Sequence, residues 1–131
     1  MKRAHLLFVL ISLSILFAAC TKKTFKLKEE FTLAFNNTGI VKLGGKDKME
    51  LKFTKLVEES RCATGKTCVW EGRVSVDIEL DNNEIITLGL GDGFTSVTSY
   101  KNHNIELLEV SYDSKENFGK ETNYSIKLKV D

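Results

Sequence analysis

Apolar and polar residues alternate with a period of two through most of the chain beyond residue 29, the pattern of strands that bury one face. Phe31, Leu33 and Phe35 alternate with Thr32 and Ala34, and Met49, Leu51 and Phe53 with Glu50, Lys52 and Thr54. The cleanest run sets Val74, Val76, Ile78 and Leu80 on one face and Ser75, Asp77 and Glu79 on the other. Asp81-Asn82-Asn83-Glu84 then reads as a turn, with Ile86, Leu88 and Leu90 as the returning arm of a hairpin. Further on, Ile105 and Leu107 hand over to Leu108, Val110 and Tyr112, a change of phase that predicts a bulge. Tyr124, Ile126, Leu128 and Val130 close the chain against Ser125, Lys127 and Lys129. No window longer than a turn or two keeps a helical stripe. The pattern predicts an all-β domain over 29–131, an antiparallel β-sandwich or small barrel of about seven to eight strands.

The first residues follow a different rule. Lys2 and Arg3 precede an apolar stretch, Leu6 to Phe17, broken only by Ser12 and Ser14, and Ala18-Ala19 leads to Cys20. This is the three-part layout of a secretory signal. The apolar stretch is short for a membrane span, which needs about 20 residues. Phe17-Ala18-Ala19-Cys20 resembles the bacterial lipobox, usually Leu-Ala-(Gly/Ala)-Cys, and departs from it only at Phe17. That resemblance implies removal of residues 1–19 as a signal peptide and acylation of Cys20. Residues 20–28 then read as a lipidated tether. Two or three acyl chains, at about 0.8 kcal/mol per buried CH₂, make such an anchor effectively permanent. By the same resemblance, Thr21 after the cysteine implies the outer membrane, facing the periplasm. Cleavage by the ordinary signal peptidase, with Cys20 left as a free thiol, is the alternative.

Charge narrows the partners. The chain carries 19 basic and 18 acidic residues for a formal +1, and processing removes Lys2 and Arg3 but no acid. A near-neutral product lacks the basic excess that nucleic acid or an anionic membrane surface would need. The membrane enters as a partner only through the lipid on Cys20. The chain has no proline, so its turns fall to Gly, Asn and Asp.

With Cys20 given to lipid, Cys62 and Cys68 remain as an even pair in an oxidising compartment, where a disulfide is the default. Closing so short a loop is worth roughly 2–2.5 kcal/mol in the chain-entropy account. Two other readings stay open: a redox pair, which more often takes a Cys-x-x-Cys form beside a helix, and a metal site, although zinc wants four ligands in close-set pairs and the processed chain offers only His103 besides these thiols.

The most distinctive stretch is Glu59-Ser60-Arg61-Cys62-Ala63-Thr64-Gly65-Lys66-Thr67-Cys68-Val69-Trp70-Glu71-Gly72. It resembles the Asp-Ser-Arg-Cys-Pro…Cys-x-Trp-x-Gly signature of small uncharacterised bacterial lipoproteins of the Bacteroidetes type. It matches at Ser60, Arg61, Cys62, Cys68, Trp70 and Gly72, and departs at Glu59, Ala63 and Glu71. The resemblance implies no activity. Read by phase, Cys68 and Trp70 share the inward face of Val74 to Leu80, so Trp70 is expected to pack near the disulfide, with an exposed ligand-stacking ring as the alternative. Arg61 is expected to tie a loop down through Glu58, Glu59 or main-chain carbonyls, or else to grip an anionic ligand.

Candidate catalysis is thin. Gly89-Leu90-Gly91-Asp92-Gly93 superficially echoes a phosphate loop, but an extended segment follows it where a helix N-terminus is required; its polar tip is a candidate partner contact. His103 sits between Asn102 and Asn104 in an apparent turn, and the adjacent carboxylates Glu29-Glu30 and Glu58-Glu59 point to opposite faces of a strand. We therefore expect no enzyme, no cofactor and no metal. The expected function is a lipid-anchored envelope lipoprotein whose loops bind a protein or small ligand. An inhibitor of an envelope or host hydrolase, such as a lysozyme or protease, is the alternative, with the loop 62–68 as its wedge.

Overall fold

The structure is a computed structural model that describes residues 22–131; the signal segment and Cys20 lie outside them. Nine strands follow in chain order: β1 (Lys23–Lys26), β2 (Glu30–Ala34), β3 (Thr38–Gly44), β4 (Asp47–Glu59), β5 (Val74–Leu80), β6 (Glu84–Leu90), β7 (Val97–Tyr100), β8 (His103–Tyr112) and β9 (Tyr124–Val130). They form a five-stranded sheet in the order β1-β3-β4-β5-β6 and a four-stranded sheet in the order β2-β9-β8-β7. No strand is shared between the sheets, so the architecture is a sandwich rather than a barrel.

The period-two faces become the core. Val41, Met49, Leu51, Phe53, Val74, Val76, Ile78, Leu80 and Leu88 from the first sheet meet Phe31, Leu33, Ile105, Leu107, Val110, Tyr124, Ile126, Leu128 and Val130 from the second. The β5–β6 hairpin forms where the Asp81-Asn82 turn predicts it. Both residues take positive φ, 51° and 55°, which Asp and Asn tolerate better than other side chains. The phase change in β8 is a register shift between Leu107 and Glu109, so Ile105, Leu107 and Val110 all reach the core.

Two features depart from the sequence reading. Pairing is antiparallel throughout except that β1 runs parallel to β3, Lys23 opposite Gly39 and Phe25 opposite Val41. Residues 23–26 were expected within the tether, yet they form this edge strand. The physical reason is Phe25, whose ring stacks on Phe31 with centroids 4.3 Å apart, so leaving it in solvent would forfeit aromatic contact. Leu27 also packs against the core, and Lys28 N–H donates to the Val130 carbonyl at 2.7 Å, carrying the chain across to the second sheet.

Candidate functional site

At one end of the sandwich the long strand β4 runs on past β3 and pairs with β5 as far as Glu59 opposite Val74. It bends through register shifts between Phe53 and Lys55 and between Leu56 and Glu58. Beyond Glu59 the chain leaves the sheet as a fourteen-residue excursion, 60–73, before returning as β5 at Val74. The neck of this loop is closed by Ser60 and Arg73: Ser60 N–H donates to the Arg73 carbonyl at 2.9 Å, and Arg73 N–H donates to Ser60 Oγ at 3.0 Å. Cys62 and Cys68 are joined by a disulfide, with Cα atoms 5.8 Å apart. Thr64 fastens the tip to β8, its N–H donating to Tyr112 Oη at 3.0 Å.

Gly72 makes the crossing possible. Its φ is +69°, and a Cβ there would collide with the Ser60 carbonyl and lie 2.6 Å from Arg61 Cα. Only glycine accommodates both the backbone conformation and the approach. This accounts physically for a glycine two residues after the tryptophan.

Arg61 takes the tying role. Its Nε donates to Glu59 Oε1 at 2.8 Å, a second nitrogen pairs with Glu59 Oε2, and Nη1 donates to the Val110 carbonyl of β8 at 2.7 Å. Glu59 is 5% exposed at its side chain and also accepts from Tyr124 Oη at 3.0 Å. The group bridges the two sheets. Burial works against the Arg61 charge, but the Glu59 carboxylate outweighs it and the guanidinium's pKa ends up raised. Burial likewise pushes the Tyr124 phenol up; the Gly119 N–H opposes this, Glu59 reinforces it, and the pKa reaches about 12. With its donors committed to Glu59 and Val110, Arg61 serves the fold.

Trp70 overturns its expected inward packing. It lies in the loop, 58% exposed, beside a fully exposed Val69. Counting by twos back from Val74 fails because the strand begins only at Val74 and Gly72 breaks the extended backbone. The indole is nevertheless fixed: Nε1–H donates to the Ser60 carbonyl at 2.8 Å. Trp70 is therefore an exposed ring held in one orientation.

An open cleft of about 440 Å³ lies against it, lined by Ser60, Trp70, Glu71, Gly72, Arg73 and Asp92. Asp92 comes from the glycine-rich loop after β6, whose tip the sequence marked as a candidate contact. That loop seats Phe94. A Cβ at Gly89 would fall 2.6 Å from the Phe94 ring, so glycine there makes room for the aromatic. The Arg73 guanidinium lies 4.6 Å from the Phe94 centroid and donates through Nε to Glu58 Oε1 at 2.7 Å. Glu58 and Glu59 thus serve opposite sides of β4, one holding Arg73 and the other Arg61. Phase counting had no means of finding Glu71, Arg73 and Asp92, since the cleft draws them from two loops. The advance signals were the distinctive stretch 59–72, which holds Glu71, and the polar tip of the glycine loop, which holds Asp92. His103 opens β8 away from this end, its Nδ1 3.1 Å from the Asp131 carbonyl.

Comparison with known proteins returns no match to a family model, to a curated protein or to a solved structure.

Proposed function

We propose that the chain is a lipid-anchored lipoprotein of the bacterial envelope, cleaved before Cys20 and facing the periplasm from the outer membrane. Its β domain binds a protein or small envelope ligand through the loop end 60–73, without catalysis. The observation that supports this best is the exposed Val69-Trp70 pair on a loop closed by a disulfide and three kinds of hydrogen-bonded tie. An exposed apolar pair is a poor choice for a loop that meets only water, and a loop already ordered loses little further entropy when it binds. Loops on a rigid β scaffold are the usual carriers of recognition.

Two measurements test the two halves of the reading. Cys20→Ser is expected to abolish metabolic lipid labelling and membrane fractionation; a variant that still partitions with membranes overturns the anchor. A photo-crosslinker placed at Val69 in cells is expected to give a discrete adduct, diminished when Trp70 is also replaced by Ala; absence of any adduct counts against the loop end as a binding surface.

A second reading, inhibition of an envelope or host hydrolase, is favoured by one observation. The tip Thr64–Thr67 is exposed while Tyr112 and the disulfide brace it from behind, the form of a wedge. It requires stoichiometric loss of lysozyme or protease activity on adding the purified protein.

A further inference from the structure

The cleft beside Trp70 has a definite electrostatic character, and it identifies a ligand chemistry. Among the described residues Arg73 is the one basic residue on its wall, and it is already spent: Glu58 neutralises it at 2.7 Å, Phe94 lies under its plane, and Nη1 donates to the Asp92 carbonyl at 3.3 Å. The two acidic residues on the wall are not spent. Among the described residues, neither the Glu71 nor the Asp92 carboxylate has a hydrogen bond or an ion pair. Beside them on the wall is Trp70, 58% exposed, whose only polar atom is taken up by the Ser60 carbonyl. An anion would meet two uncompensated carboxylates. A neutral apolar group would gain nothing from the two exposed carboxylates. An organic cation meets both needs at once, since a tryptophan face is the strongest aromatic partner for a cation and carboxylates at its rim add charge. The cleft volume suits a side chain rather than a bare ion.

We infer that this cleft is a binding site for an organic cation, of the kind carried by a lysine side chain, held by Trp70 with Glu71 and Asp92. This rests on the reading of the loop end as a binding surface and names what that surface accepts.

The probe is Nα-acetyl-lysine N-methylamide, with the norleucine analogue as its uncharged counterpart, titrated into the purified full chain as the cell processes it. The chain has a single tryptophan, so its fluorescence reports on this cleft alone. The lysine probe is expected to change that emission saturably, with affinity on the order of millimolar for so small a group in an open cleft. Its ε-methylene protons are expected to shift upfield, as they must when stacked on an indole. Added salt is expected to weaken binding. The double variant Glu71→Gln, Asp92→Asn is expected to lower affinity roughly five- to tenfold, the scale of two exposed charge contacts. Trp70→Ala should remove the ring-current shift. Equal binding of the norleucine analogue, or an affinity unchanged in the double variant, overturns the inference. If the cation fails while the Val69 crosslink persists, only the ligand assignment falls; if both fail, the binding reading falls with it.

Discussion

The interior of the sandwich and the loop end 60–73 are held by different physics. In the interior, side chains such as Phe53, Ile78 and Leu128 are fully buried, and hydrophobic burial spreads stabilisation over every strand. The loop end contributes no residue to that core. Its shape depends on a few directional contacts: one disulfide, the Ser60–Arg73 neck, the Glu59–Arg61–Tyr124 group and the passage of Gly72 beneath Ser60. Burial tolerates small shifts because it has no direction. Point contacts do not, so the loop end can lose its geometry while the sandwich stays folded.

That contrast can be broken from either side, and the core should respond most. Phe53→Ala removes a fully buried ring that meets Phe35 edge-on at 5.5 Å. It is expected to cost about 3–5 kcal/mol in urea unfolding, and the loop should be lost only with global unfolding. Next comes the junction between the two regions. Glu59→Ala strands the Arg61 guanidinium and the Tyr124 hydroxyl, and a loss of about 3 kcal/mol is expected. Replacing Arg61 by Met in the same background should recover part of it, because the uncompensated charge is then gone.

Alkaline pH probes the same junction without a mutation. Tyr124 has a folded pKa of about 12, above the ordinary phenol value, so the folded state holds its proton more tightly than the unfolded chain does. The corresponding stabilisation is fully present below about pH 10 and disappears as pH rises toward 12, a loss of about 2–3 kcal/mol. Tyr124→Phe should flatten that limb of the stability profile. A limb unchanged in the variant would place the alkaline transition elsewhere.

The smallest expected effect on stability lies in the loop itself. Cys62→Ser with Cys68→Ser should cost about 2 kcal/mol. Amide exchange should rise at Thr64 and Trp70 while Ile78 and Leu128 keep their protection. Equal acceleration in both regions would show that the disulfide supports the whole domain and that the division drawn here is wrong.

How much of this was legible beforehand divides along the same line. The alternation from Val74 to Leu80 mapped directly onto β5 because a half-buried strand imposes its period on every residue, and the phase slip near Leu107 marked its bulge for the same reason. The Cys62–Cys68 disulfide was expected from the pair left over when Cys20 is assigned to lipid in an oxidising compartment, and the two are bonded. The parallel edge strand β1 did not: four residues rich in lysine show one buried position, Phe25, and its burial depends on Phe31 being opposite. Trp70 was misread because strand phase was extended through a glycine with positive φ, past which alternation carries no information.

Local order with a fixed period was therefore written into the chain: the alternation of β2, β4, β5, β6, β8 and β9, their inward faces, the hairpin turn and the bulge, since each follows from neighbours two residues apart. The sandwich rather than the barrel, the direction of β1, the outward tryptophan and the cleft it shares with Asp92 came only from tertiary structure. They depend on residues far apart in sequence meeting through single directed contacts, and no periodicity encodes such a meeting.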